Sequence, residues 1–77
     1  MTVGPKDIQY SDRMSTNLGE VMRYVKVPIE LLERYPKYRN RLLAESEWLD
    51  LGIQMSPGWT HVGVFKEIYF IFWRKSQ

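Results

Sequence analysis

Residues 45–59 read ESEWLDLGIQMSPGW, and this stretch fixes how the rest of the chain is parsed. Glu45 and Glu47 place negative charge where a helix dipole is positive, which marks a helix start. Trp48 and Leu51 fall three apart on one face, and Gly52 stands where a helix ends in the left-handed region. The spacing predicts a helix over Glu45–Leu51. Ser56-Pro57-Gly58 follows as a tight turn, with Pro57 preset for its second position and Gly58 free to take positive φ at the third. Trp59 leads out of it. The stretch is a rigid corner that offers a hydroxyl, backbone N–H groups and an indole to something small and polar.

Downstream, WTHVGVF (Trp59–Phe65) and IYFIFWRK (Ile68–Lys75) are rich in β-branched and aromatic residues and predict two strands. Lys66-Glu67 reads as a two-residue hairpin connection, although it lacks the Asn or Gly such turns favour. Upstream, Ile8–Ser11 alternates apolar and polar and predicts a short strand; Ser15–Gly19 reads as a loop. VMRYVKV, Val21–Val27, is a further strand, with Val21, Arg23, Val25 and Val27 on one face and Met22, Tyr24 and Lys26 on the other. Pro28 then suits a first helical position and Pro36 a stop, so Pro28–Tyr35 predicts two helical turns with Ile29 and Leu32 inward. Lys37–Arg41 reads as a basic loop. The order β-β-α-α-β-β specifies an α+β fold, a four-stranded antiparallel sheet capped by two short helices. The 77 residues form one domain, with residues 1–6 expected to fray.

Composition excludes several classes. There is no cysteine, so disulfide frameworks and thiolate metal sites are ruled out; the chain suits a reducing compartment, cytoplasm and nucleus. The N-terminal MTVGPKDIQY has no apolar h-region of a secretory signal, and no apolar run approaches the roughly 20 residues that span a bilayer. The net charge of +2 is mild for a nucleic-acid binder. Acid–base catalysis needs titratable groups held apart in pKa, but the single histidine, His61, lies mid-strand and Glu45, Glu47 and Asp50 are surface charges by spacing. There is no phosphate-cradling or nucleophile-elbow motif. The chain reads as non-enzymatic, with no cofactor and no metal.

Binding remains. Arg13 follows the first strand, Arg23 lies within the second, and Arg74 and Lys75 end the last. An antiparallel sheet can bring such residues to one face. Guanidinium forks, an ammonium, a hydroxyl and an indole N–H are donors that together suit a dianionic phosphate or sulfate.

At these residues the sequence resembles the Cks family, the small regulatory subunits of cyclin-dependent kinases. Glu45-Ser46-Glu47-Trp48, Leu51-Gly52, Ser56 and Gly58-Trp59 match the order and spacing of the family's ESEWxxLGxxxSxGW core. Tyr10-Ser11-Asp12-Arg13 is similar to its YSDK segment, and the aromatic strand ending in Arg74-Lys75 to its closing LLFRR. The resemblance covers about Ile8 to Lys75. It implies a non-catalytic adaptor in cell-cycle control that binds a cyclin-dependent kinase and accepts phosphothreonine-proline substrate proteins in an anion pocket. Carried over by position, that pocket is Arg13, Arg23, Ser56, Trp59 and Lys75. Lys75 then stands where the family has arginine, which loses a bidentate fork.

The sequence also departs from the family's pattern. Ser15-Thr16-Asn17-Leu18-Gly19 replaces an acidic loop. Phe65-Lys66-Glu67 replaces a His-x-Pro-Glu-Pro hinge that serves strand exchange, so a closed hairpin and a monomer are expected. Glu67 stands in for the hinge glutamate, and with Val62, Gly63, Val64 and Phe65 makes up the expected kinase-contact surface. From the residues alone, a small nucleic-acid-binding domain is the alternative, with Trp59, Tyr69 and Trp73 interleaved among basic strands.

Overall fold

The computed structural model of the chain describes residues 2–75. Five short strands and two helices follow in the order β1 (Gln9–Tyr10), β2 (Met14–Ser15), β3 (Glu20–Lys26), α1 (Ile29–Arg34), α2 (Glu45–Leu51), β4 (Thr60–Phe65) and β5 (Tyr69–Lys75). β1 and β2 lie end to end along the same edge of β3, so the sheet is four strands wide, with β5 inside and β4 on the far edge. All pairings are antiparallel. This is the α+β architecture that the alternation of patterns predicts.

The first strand is longer than expected and broken. Tyr10 pairs with Val25 and Met14 with Met22, so the edge gains one residue between the two pairs. Ser11 fills the break: its N–H donates to the Tyr24 carbonyl and its Oγ accepts the Tyr24 N–H, both at 2.9 Å. A side chain thus takes the place of the backbone carbonyl in the ladder, and the Ser11 carbonyl is left to a guanidinium.

Strand parity on β3 and β5 is set by register. Arg23 faces Phe72, Val25 faces Phe70 and Val21 faces Arg74. Val25, Phe70 and Phe72 are fully buried beneath the helices, together with Val27, Leu31, Leu32, Trp48, Leu51 and Ile53. Each such side chain contributes about 1.5–3 kcal/mol of burial. Trp48 meets Phe72 edge to face at 5.5 Å, which seats α2 on the sheet. Tyr38, in a segment read as a basic loop, is instead buried in a 3-10 turn over Pro36–Tyr38 and donates its hydroxyl to Asp50 at 2.6 Å.

Gly52 ends α2 at φ 116°, and a Cβ there would lie 2.8 Å from the ring of Pro5. That contact corrects the expectation of a frayed N-terminus: Pro5–Asp7 forms a 3-10 turn packed on the end of α2. Met1 lies outside the described residues.

β4 and β5 pair within the chain as a closed hairpin. Its connection is three residues rather than two, because Phe65 pairs with Tyr69 and the Ile68 carbonyl accepts from Val27 at 2.9 Å. Lys66 and Glu67 hold φ of 49° and 68°, the left-handed region that neither favours. Among the described residues no helix is long and apolar enough to cross a membrane.

Candidate anion site on Trp59

Trp59 enters the core immediately before β4, held there by the turn that precedes it. Thr60 pairs with Trp73, so Trp59 lies beside Arg74 on the helix-covered side of the sheet. The Trp59 ring is buried, with 3% of its surface exposed, and it is the point on which distant cations meet. The guanidinium carbons of Arg13, Arg23 and Arg74 lie 5.9, 5.8 and 5.6 Å from its centroid. Each comes from a different part of the sheet: the break between β1 and β2, the middle of β3, and the end of β5.

Arg23 is the most constrained of the three. Its Nη2 donates to the Ser11 carbonyl at 2.9 Å, and the ring of Tyr10 lies 5.4 Å from its guanidinium carbon. Tyr10 is fixed in turn by its hydroxyl, which accepts the Gln54 N–H at 2.8 Å. The break in the first strand therefore frees a carbonyl, and that carbonyl orients the guanidinium.

Electrostatically the cluster is one-sided. Ion pairs among the described residues join Arg39 to Glu67 and Arg41 to Glu47, and no described carboxylate lies within 4 Å of Arg13, Arg23 or Arg74. Arg23 Nε and Trp59 Nε1 are buried donors without a protein acceptor. Three like charges and two orphaned donors around one ring are costly unless an anion neutralises them.

Ser56 and Lys75 are placed differently. Ser56 is exposed at the first position of the turn Ser56–Trp59, with Gly58 at φ 102°. Its link to the cluster is its place in the chain, three residues before Trp59. Lys75 pairs with Glu20, which shares a face with Met22 and Tyr24, and so points to the face opposite Trp59. This corrects its assignment: Arg74 is the cation that β5 brings to the indole, and it carries the fork that lysine lacks. The register against β3, which puts Arg74 in phase with Phe70 and Phe72, decides between the two cations.

His61 is structural. It is 3% exposed, stacks on Phe70 at 4.8 Å, accepts the Leu43 N–H at Nδ1 and donates Nε2–H to the Gly63 carbonyl, both at 2.8 Å. Burial holds its pKa below the ordinary imidazole value.

On the hairpin, Val62 and Phe65 are exposed, while Val64 pairs with Phe70 and is half-buried on the covered side. Gly63 faces Ile71. The Glu67 carboxylate accepts from Arg39 Nη2 at 3.0 Å and Asn40 Nδ2 at 3.3 Å, and these bonds hold it below the usual carboxylate range. Tyr24, Phe65, Lys66, Tyr69 and Ile71 line a shallow hollow of about 310 Å³ on the open face of the sheet. Sequence reasoning did not assign Tyr24 or Tyr69 to that surface; their parity with Met22 and Ile71 places them there.

The family described as cyclin-dependent kinase regulatory subunit matches residues 8–77. A cyclin-dependent kinases regulatory subunit of Drosophila melanogaster is 38% identical over 73 residues, covering 94% of this chain and 95% of that relative. One of Caenorhabditis briggsae is 44% identical over 61 residues, 79% of this chain and 62% of the relative. The cyclin-dependent kinases regulatory subunit 2 of Arabidopsis thaliana is 42% identical over 59 residues, 77% and 68% of the two chains. Against the two Caenorhabditis relatives the match spans 62% of their length. With the match running from the first strand through the Trp59 turn to the last strand, the chain belongs to the family of cyclin-dependent kinase regulatory subunits.

Proposed function

We propose that this chain is a non-catalytic adaptor that binds a cyclin-dependent kinase and presents to it substrates carrying phosphothreonine followed by proline. The observation that carries the reading is the convergence of Arg13, Arg23 and Arg74 on Trp59 with no described carboxylate within 4 Å. A phosphate dianion supplies the missing negative charge and accepts charge-assisted hydrogen bonds from the guanidinium forks, with Ser56 adding a hydroxyl from the turn. Tethering the substrate raises its effective concentration at the kinase without any chemistry by the adaptor itself.

The kinase contact is assigned to the β4–β5 hairpin, through Val62, Phe65 and Glu67, and to the open sheet face beside it. Exposed aromatic and apolar groups there suit a protein partner. The closed hairpin favours a monomer, and the adaptor is placed in cytoplasm and nucleus with its kinase.

Titration of a phosphothreonine-proline peptide against its unphosphorylated twin tests the anion half. Selective binding that is lost in Arg23→Ala is the expected result; equal binding of both peptides overturns it. Co-purification of a cyclin-dependent kinase that is lost in Phe65→Ala tests the other half separately.

A further inference from the structure

Ser56 and Pro57 form a Ser-Pro pair on an exposed turn, and that turn runs directly into Trp59, the ring on which the three guanidinium groups converge. All three of Ser56, Pro57 and Gly58 are exposed, and the segment from Gln54 to Gly58 lies outside helix and strand. Pro57 restricts Ser56 to extended backbone, the conformation in which a kinase threads its substrate. Pro57 and Gly58 are the central residues of the turn, so the Cα atoms of Ser56 and Trp59 come within about 7 Å of each other. Around the Trp59 ring stand three guanidinium groups with no described carboxylate within 4 Å.

We propose that Ser56 is a phosphorylation site for proline-directed kinases, and that its phosphoserine occupies the arginine cluster on Trp59, closing the site to phosphorylated partners. The occupancy rests on the anion-site reading above. In the transfer step Ser56 Oγ attacks the γ-phosphorus of ATP. The bond to the β–γ bridging oxygen breaks, ADP leaves, and the hydroxyl proton passes through the kinase's base to solvent. The product carries about −1.5 to −2 charge and three acceptor oxygens beside the guanidinium groups. It also removes the Ser56 hydroxyl as a donor. The same contacts that would hold a partner's phosphothreonine then hold the chain's own phosphate, at an effective concentration no free peptide matches. An adaptor seated on a proline-directed kinase would thereby carry its own off-switch.

The full chain is incubated with ATP, magnesium and a cyclin-dependent kinase–cyclin complex, and the modified residue is located by mass spectrometry. One phosphate at Ser56 is expected, absent in Ser56→Ala and strongly reduced in Pro57→Gln; no phosphate at Ser56 overturns the modification site. In parallel, phosphoserine is installed at position 56 by genetic encoding and followed by phosphorus NMR. The bound phosphate is expected to titrate below the value of about 6 seen for a free phosphoserine. That value should return in Arg23→Ala and Arg74→Ala, and the phosphothreonine peptide should bind the modified chain at least about tenfold more weakly. A resonance that titrates as in the isolated peptide Gln54–Thr60 overturns the occupancy. Failure of the unmodified chain to bind phosphothreonine peptide, with the arginine-dependent phosphorus shift intact, would sink the adaptor reading and leave this one standing.

Discussion

Arg74 stands 5.6 Å from the centre of the Trp59 ring and opposite Val21 across the sheet, while its neighbour Lys75 pairs with Glu20 on the other face. Two adjacent cations thus have different fates. Arg74→Ala should weaken phosphothreonine peptide binding by about 10- to 100-fold, the loss expected for a charge-assisted hydrogen bond of about 1.5–3 kcal/mol. Lys75→Ala should stay within about twofold, a surface-charge effect. Calorimetric titration separates them; equal losses would place the anion elsewhere.

Arg23 should show a double phenotype. Its Nη2 holds the Ser11 carbonyl at the break in the first strand, so the residue serves the fold as well as the site. Arg23→Ala should lower stability by about 1–2 kcal/mol, leaving that carbonyl without its protein donor, in addition to losing the ligand. Arg23→Lys keeps the charge without the fork and should recover less than half of the lost binding free energy. Chemical denaturation and peptide titration on the same samples report the two effects.

His61 makes stability fall on mild acidification. Its folded pKa is depressed by burial below the ordinary 6.5. Above 6.5 both folded and unfolded chains hold it neutral, and stability is complete. Below 6.5 the unfolded chain takes up a proton that the folded chain resists, so stability declines until the pH passes the folded value. Glu47 and Glu67, both depressed from 4.5 by their arginine partners, add to the decline only at lower pH. His61→Ala should flatten the dependence just below pH 6.5 and cost about 2–4 kcal/mol, because the Leu43 N–H and Gly63 carbonyl lose their partner. Denaturation midpoints on either side of that pH check the sign.

Gly52→Ala should cost about 2–3 kcal/mol, combining left-handed backbone with a collision against Pro5. Pro5→Gly introduced alongside should recover the steric part and leave about 1–2 kcal/mol of backbone strain. A double-mutant cycle in urea measures the split. Full additivity would remove the N-terminal turn from the packing of α2.

Local chemistry explains what could be read from the sequence. The bounds of Glu45–Leu51 follow from Glu45, Glu47 and Gly52, which act within a turn of their own positions. The two faces of β3 follow from alternation in VMRYVKV. The break in the first strand was not legible, because it depends on a bond between Ser11 and Tyr24, 13 residues apart. Burial of Tyr38 depends in the same way on Asp50. In IYFIFWRK nearly every position is apolar on both faces, so parity there is decided by register against β3 and not by the residues themselves. Matching Arg74-Lys75 to the closing arginines of the family pattern put Lys75 in the pocket, and only the register against β3 puts Arg74 there instead. Likewise Lys66 and Glu67 carry no turn signal; their left-handed backbone goes with a Glu67 carboxylate clamped by Arg39 and Asn40.

The indole and the three guanidinium groups around it enter from the lead-in to β4, the kink in the first strand, β3 and β5, so no subset of strands contains the whole cluster. On the proposed anion-site reading, a phosphate ligand finds nothing to bind in a partly unravelled chain and should raise the melting temperature of the whole. Thermal shift by inorganic phosphate, absent in Arg74→Ala, would then be an assay of ligand binding that needs neither kinase nor peptide.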